Sequence, residues 1–74
     1  MTNLKISFSS VLYKEESIDE AIEDFRDFCE FEKKREGNAI NITLSHIKQD
    51  IDAKRLADEF SNYVLGLMKN NALV

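Results

Sequence analysis

The fold is decided by the stretch FCEFEKKREGNAINITL, residues 28–44. On either side of Gly37-Asn38, apolar residues alternate with polar ones, which is the pattern of two half-buried strands joined by a tight turn. A turn centred near Glu36-Gly37 pairs Phe31 with Ile42, whereas a turn at Gly37-Asn38 shifts that pairing by two positions. Both registers keep the same side chains on the inner face. The stretch therefore predicts a β-hairpin whose core-facing residues do not depend on the turn.

Two helices are predicted around the hairpin. The run Ser17-Ile18-Asp19-Glu20 matches the capping box, in which the serine caps the start of a helix. This helix should end near Phe28, where the strand alternation begins. The second helix should begin near Asp50 or Asp52 and end near Lys69. The residues predicted to face the core at helical spacing are Ile18, Ala21, Ile22, Phe25 and Phe28 in the first helix, and Leu56, Ala57, Phe60, Tyr63, Val64 and Leu67 in the second.

A strand precedes both helices, because Leu4, Ile6 and Phe8 alternate with polar residues. The order is therefore β-α-β-β-α. A right-handed crossover makes the first two strands parallel, so the third strand fits between them. The predicted fold is α+β, with a three-stranded sheet of order β1-β3-β2 and both helices on one face, a truncated split βαβ of the ferredoxin-like kind. The first strand is then an exposed edge.

The chain has 74 residues, which is enough for one domain with a marginally sufficient core. Domains of this size are usually reinforced by disulfides, a structural metal or association. Cys29 is the only cysteine, so no internal disulfide can form, and neither a second cysteine nor a nearby histidine offers a zinc site. Association with a partner or a second copy is therefore expected. The lone thiol, and an N-terminus without a signal-peptide pattern, favour the cytoplasm.

Charge is unevenly placed in the sequence. The formal net charge is −4, and eight carboxylates fall within residues 15–30. This acidity disfavours nucleic acids and anionic membranes as partners, because both require a positive surface. An acidic stripe on the first helix, opposite its apolar face, is either a solvated face or a docking surface for a basic partner; a Ca²⁺ or Mg²⁺ site would need loop carbonyl ligands that are missing here. The stripe consists of Glu16, Glu20, Glu23 and Asp27.

No segment groups catalytic or metal-binding residue types, so no catalytic, cofactor-binding or metal-binding residue is assigned. Cys29 points inward in the hairpin and is expected to be a buried, inert thiol. His46, the only histidine, is expected on a surface loop. The basic run Lys33-Lys34-Arg35 is expected to serve solubility and to protect a strand edge. These features favour a binding module, with an enzyme or cofactor-binding protein as the least favoured class.

The exposed edge of the first strand is a candidate binding surface. Its polar residues are Lys5, Ser7 and Ser9. Lys5 is the only charged residue of the strand that could disfavour pairing with another strand. The unpaired backbone groups of such an edge recruit another strand. Alternatively, the apolar residues Leu73 and Val74 fold back and cover the edge.

The second helix carries another candidate surface. Leu65 projects away from the buried stripe, and together with Met68 and Leu73 it forms an apolar patch. Gly66 lies in the interior of the same helix, where glycine is unfavourable, which indicates that something packs closely against it.

A family resemblance extends over most of the chain. Its positions are Tyr13, Ile18-Asp19-Glu20-Ala21-Ile22, Phe25, Phe31, Ile40-Asn41-Ile42-Thr43-Leu44 and Glu59-Phe60-Ser61-Asn62-Tyr63-Val64-Leu65. With these residues the chain resembles the small D proteins of His-Xaa-Ser maturation systems, although a charged pair expected after Leu65 is missing. The resemblance implies a non-catalytic companion of radical enzymes that modify peptides. It singles out Asn62 and Tyr63, which are otherwise an exposed polar residue and a core aromatic residue.

The sequence thus predicts a small, non-catalytic accessory or interaction module that binds a protein or peptide partner and uses no cofactor. The alternative is a structural domain whose exposed surface meets a second copy in a homodimer.

Overall fold

The computed structural model describes residues 3–72, with side chains described as far as residue 69. Five elements follow one another along the chain, and they confirm the predicted α+β order. They are β1 (Leu4–Ser9), α1 (Glu15–Asp24), β2 (Glu30–Glu36), β3 (Ala39–Ser45) and α2 (Ala53–Ala72).

The sheet has the predicted order β1-β3-β2, and β3 is antiparallel to both neighbours. β1 pairs with β3 along its whole length, with Leu4 opposite Leu44. β1 and β2 are therefore parallel to each other and form the two edges of the sheet. The side chains of Ile40, Ile42 and Leu44 are fully buried beneath the helices, so the prediction of a sheet covered on one face is confirmed.

The hairpin between β2 and β3 turns at Gly37-Asn38. Gly37 has a φ of 58°, a left-handed conformation that glycine adopts without strain. Phe31 therefore lies opposite Leu44. The register with Phe31 opposite Ile42 is wrong, and the alternative shifted by two positions is confirmed. The inner face of the hairpin is the same in both.

Helix α1 begins earlier than its capping-box pattern indicates. Its first residue is Glu15, and Lys14 occupies the N-cap position without a side-chain cap. The Lys14 carbonyl accepts the N–H groups of Ser17 and Ile18, at 3.1 and 3.3 Å. Ser17 is therefore inside the first turn and only 1% exposed. The prediction that Ser17 caps the helix is wrong, because its small side chain lies against the core.

Helix α1 also ends earlier than predicted, at Asp24 rather than near Phe28. The N–H of Phe25 still donates to the Ala21 carbonyl at 3.0 Å, and the N–H of Phe28 then closes a turn onto the Phe25 carbonyl at 3.1 Å. Phe28 is 40% exposed. Its assignment to the core is therefore wrong, since the turn carries it away from the apolar face of the helix.

Helix α2 begins after Asp52, one of the two predicted starting points. The Asp52 carboxylate accepts the Lys54 N–H at 3.1 Å, which satisfies a free donor of the first turn. The helix continues to Ala72, past its predicted end near Lys69. Tyr63 is 38% exposed rather than buried. Its ring packs against Phe25, and its hydroxyl donates to the Asp24 carboxylate at the end of α1.

The core is centred on Phe60 of α2, which is fully buried. Its ring centroid lies 5.0 Å from Phe31, 5.5 Å from Phe25 and 6.2 Å from Phe8. One side chain thus joins α2 to α1 and to both edge strands. The other buried apolar residues are Phe8, Ile18, Ala21, Cys29, Ile40, Ile42, Leu44, Leu56 and Val64.

The two helices lie over different halves of the sheet. Glu15 of α1 forms ion pairs with Lys33 and Arg35 of β2. Among the three strands, β1 is the one that helix α2 contacts most extensively. As a result, the side of α2 that faces away from α1 lies toward the outer edge of β1.

Gly66 offers a test of helix α2. Apart from the adjoining residues and the helix's own backbone, no described atom lies within 4 Å of where a Cβ would be, so the predicted close packing at Gly66 is not found within the described residues. Gly66→Ala should raise the free energy of unfolding by about 1 kcal/mol, because alanine loses less backbone entropy in a helix. For a domain of this size the melting temperature should rise by roughly 4–8 °C.

Gly37→Ala is the matched control. At a φ of 58° a Cβ costs about 1–2 kcal/mol, so this variant should melt lower than the wild type. A Gly66→Ala variant that also melts lower would mean that something does pack against the helix at that position.

Candidate interaction site: the outer edge of strand β1

The hydrogen-bond register of β1 determines which of its backbone groups face outward. The Ser10 N–H donates to the Asn38 carbonyl at 2.8 Å, and in antiparallel pairs bonded positions alternate with non-bonded ones. Leu4, Ile6 and Phe8 therefore bond to β3. The N–H and C=O groups of Lys5, Ser7 and Ser9 point away from the sheet. We call these outward groups the β1 edge.

The end of the β1 edge at Ser9 is partly closed by the following turn. The Ser9 carbonyl accepts the N–H groups of Leu12 and Tyr13, at 3.2 and 2.8 Å. Ser9 Oγ accepts the Val11 N–H at 3.3 Å. Within the described part of the chain, no strand pairs with the outer side of Lys5 or Ser7. The predicted fold-back of Leu73 and Val74 lies outside the described residues.

The β1 edge borders a sheet face that neither described helix covers. The side chains of Lys5 and Ser7 are exposed on this face. A shallow depression runs from them across β3 to β2, and the remaining side chains around it are Glu32, Lys34, Glu36, Asn41 and Thr43, together with Ile6. The charges alternate in sign, so this face is well solvated and shows no preference for a ligand of one charge.

On the other face, α2 adds apolar surface beside β1. Leu65 is 40% exposed, and Met68 is half-buried against the core. Asn62 is exposed on the same helix, as expected of a polar residue outside the apolar stripe. The predicted contribution of Leu73 to this patch lies outside the described residues.

Only three of the four residues of the acidic stripe lie on helix α1. Glu16, Glu20 and Glu23 are exposed on α1, whereas Asp27 lies in the turn beyond the end of the helix. Glu23 forms an ion pair with Arg26 at 3.0 Å. The prediction that four carboxylates line one helix face is therefore wrong for Asp27, because α1 is shorter than the pattern indicates.

An ion-pair cluster that was not predicted from the sequence ties α1 to β2. Lys33 Nζ lies 2.7 Å from both Glu15 Oε2 and Asp19 Oδ1, and Arg35 lies 3.1 Å from Glu15 Oε1. Hydrogen bonding from Lys33 lowers the pKa of the Glu15 carboxyl. Hydrogen bonding to Asp19 and Glu15 raises the pKa of Lys33. Lys33 comes two residues after Phe31 in β2, so its side chain lies on the same, inner face. This position beside α1 was the signal in the sequence from which the cluster could have been predicted.

The cluster predicts part of the acid sensitivity of the fold. Because the pKa of Glu15 is lower in the folded state, its stabilising effect is complete above the unfolded value of about 4.3. The effect is lost as the pH falls through the folded value. Lys33→Gln should therefore flatten the decline of the melting temperature below about pH 5.

Lys34→Gln is the matched control, because it removes the same charge from the opposite face of β2. It should leave the acid limb of the melting curve unchanged. Equal flattening in both variants would show that net charge, and not the ion pair at Glu15, sets the acid limb.

The only cysteine and the only histidine of the sequence lie in different surroundings. Cys29 is 5% exposed, and burial raises the pKa of its thiol, so the prediction of a buried cysteine is confirmed. His46 is exposed, as predicted, and its Nδ1 contacts a Glu30 carboxylate oxygen. Among the described residues, no three His, Cys, Asp or Glu side chains are grouped to hold a metal ion. Neither described helix is long and apolar enough to cross a membrane.

Comparison with known proteins identifies no relative: no protein-family model matches the chain, and no curated protein or solved structure is detectably similar to it.

Proposed function

We propose that this protein is a small, non-catalytic interaction module that binds an extended segment of a protein or peptide by adding it as a strand to the β1 edge. The observation that carries the proposal is the outward orientation of the backbone groups of Lys5 and Ser7, which follows from the bond between Ser10 and Asn38. Unpaired edge groups of this kind give main-chain hydrogen bonds to an added strand.

The surroundings of the β1 edge define the chemistry of the bound segment. One face of an added strand would lie beside the apolar surface of α2 near Leu65, and the other would lie on the bare polar face near Lys5. The segment should therefore alternate apolar residues with polar ones. A neutral or acidic residue opposite Lys5 is favoured over a basic one.

A binding role is also supported by the state of the reactive residues. A nucleophilic cysteine requires an accessible thiolate, whereas burial raises the pKa of Cys29. His46 contacts Glu30 at the end of the hairpin, with Ser45 as its neighbour in the chain. The charged cluster of Glu15, Asp19, Lys33 and Arg35 is mutually paired and stabilises the packing of α1 on β2.

The resemblance to the small D proteins of His-Xaa-Ser maturation systems names the first class of partner to test, a radical enzyme that modifies peptides. A reducing compartment suits a chain whose only cysteine has no partner cysteine, and we propose the cytoplasm as the place of action.

A displayed library of short random peptides tests the proposal without a known partner. Selected binders should alternate apolar and polar residues and should slow hydrogen exchange at the Lys5 and Ser7 amides. Ser7→Pro should weaken these binders by about tenfold or more, because proline removes an outward donor. The ladder to β3 is unaffected, since the Ser7 amide takes no part in it.

Glu20→Lys is the control, because it changes an exposed residue of the acidic stripe. It should leave binding to the selected peptides unchanged. Basic peptides that lose affinity on Glu20→Lys, and keep it on Ser7→Pro, would instead assign the binding function to the acidic stripe and contradict strand addition.

A further inference from the structure

The strand that β1 is best suited to receive is β1 itself. On the helix-covered face it presents Leu4, Ile6 and Phe8, and on the bare face it presents Lys5 and two serines. This is the alternation that the β1 edge requires of a partner. Lys5 is its only charged residue, so pairing with a second β1 brings together only one like-charged pair, the two Lys5 side chains.

An antiparallel pair centred on Ser7 bonds Ser7 to Ser7 of the second copy and the Lys5 carbonyl to the Ser9 N–H, while the Ser9 carbonyl stays bonded to the turn after β1. Ser7 then lies opposite Ser7 of the second copy, and Lys5 lies opposite Ser9. On the helix-covered face Ile6 lies opposite Phe8. The two Lys5 residues are four positions apart, or about 14 Å, which exceeds the Debye length of about 8 Å at physiological salt. The pairing therefore places no like charges opposite each other.

Helix α2 contributes a second surface on the same side. Tyr63 packs against Phe25, which caps the C-terminal end of α1, with ring centroids 5.2 Å apart. Leu65 is two residues further on, about 200° around the helix, and so lies on the side toward the outer edge of β1. The residues at helical spacing on this side, which we call the outer flank of α2, are Ala57, Ser61, Leu65 and Met68.

The outer flank suits close contact with another helix. Ala57 and Ser61 are small, and Ser61 Oγ donates to the Ala57 carbonyl at 3.0 Å, so its hydroxyl needs no partner across an interface. Leu65 supplies an apolar side chain that is 40% exposed. Burial of such a side chain stabilises an interface through the hydrophobic effect.

We infer that two copies of this chain associate through β1 and the outer flank of α2. The two sheets join edge to edge in an antiparallel register centred on Ser7, and the two α2 helices lie side by side above the join. This inference rests on the proposed function, strand addition at the β1 edge, and names the added strand. The interface is two-fold and closed, so assembly stops at the dimer.

Cysteine cross-linking tests the register. Directly opposed, hydrogen-bonded residues have Cα atoms about 5.5 Å apart, which is within the range of a disulfide. Ser7→Cys should therefore form a covalent dimer under mild oxidation. Lys5→Cys alone should not, because its two copies lie about 14 Å apart, whereas a mixture of Lys5→Cys and Ser9→Cys should cross-link. Cross-linking of Ser7→Cys at the same rate as Lys5→Cys would overturn the register.

Sedimentation over a range of protein concentrations tests the helix contact. The wild type should be in a monomer–dimer equilibrium, and Leu65→Lys should raise its dissociation constant at least tenfold. Phe28→Lys is the matched control, because Phe28 is also 40% exposed but lies in the turn after α1. It should leave the dissociation constant unchanged. An equal effect of both variants would overturn the helix contact.

Hydrogen exchange separates this inference from the proposed function. A wild type that is monomeric at every concentration, with fast exchange at the Lys5 and Ser7 amides, refutes the dimer and leaves strand addition by another partner intact. Slow exchange of these amides in the dilute monomer refutes both, because the β1 edge would then be closed within one chain.

Discussion

Replacing Phe60 with alanine should leave most of the protein unfolded at room temperature. Phe60 is fully buried, and the rings of Phe8, Phe25 and Phe31 surround it. A buried Phe→Ala change costs about 3–5 kcal/mol. The net stability of a domain of this size is about the same. Circular dichroism of Phe60→Ala should show loss of both helix and sheet signals, because this side chain joins both layers.

Phe28→Ala is the control for this loss. It removes the same side chain from a position that is 40% exposed and packs mainly against Phe25. Urea unfolding should show a loss of about 1 kcal/mol for such a ring contact. A cooperative unfolding transition of Phe60→Ala with wild-type stability would mean that the core is not centred on this residue.

Substitutions at Ser17 and Lys14 should have opposite effects. Ser17 is 1% exposed in the first turn of α1, so Ser17→Asp places a carboxylate in the core. We expect the free energy of unfolding to fall by about 3 kcal/mol at neutral pH, because an ionised group is costly to bury. Lys14 holds the N-cap position without a side-chain cap. Lys14→Ser should raise the free energy of unfolding by about 1 kcal/mol.

Thermal and urea unfolding of the two variants decides where α1 begins. If Ser17 were the N-cap, Ser17→Asp would be nearly neutral, since serine and aspartate are similar caps. Residue 14 would then lie outside the helix, so Lys14→Ser would leave the free energy of unfolding unchanged. A pattern of one large loss and one gain is expected only if the helix starts at Glu15.

The strands and their order could be predicted because the sequence alternates clearly. Ile40, Ile42 and Leu44 differ from their neighbours in polarity, and a period of two is specific to a strand. The register of the hairpin could not be determined by the same signal. A shift of two positions keeps every inner residue on the inner face, so the position of the turn depended on the backbone conformation of Gly37.

The bounds of α1 were harder to predict, because serine is common both at helix N-caps and at positions where a helix packs closely. Serine caps helices, but it also fits where a helix packs close to a sheet, and Ser17 has the second role. Phe28 follows the helical spacing of Ile18 and Ala21, yet the backbone leaves the helix at Asp24. In both cases the tertiary packing, rather than the local pattern, determines the outcome.

The candidate site was predicted to the level of the strand. The predicted order β1-β3-β2 alone placed β1 at an edge, because β3 is its only neighbour among the predicted strands. Which of its groups face outward depends on the bond between Ser10 and Asn38, and no sequence pattern gives this bond. The partner could not be predicted, since the outward groups proposed to bind it are backbone groups and most side chains of β1 are not distinctive.

The burial of Cys29 gives this protein a built-in reporter of its own motion. Its thiol is 5% exposed at the junction between α1 and β2, so a thiol reagent can label it only when that junction opens. The labelling rate in native buffer therefore measures the free energy of local opening, without any added probe. Comparison with the exchange rate of the Ile6 amide, which bonds to β3, would show whether the hairpin side of the sheet and its β1 side open together or as separate units.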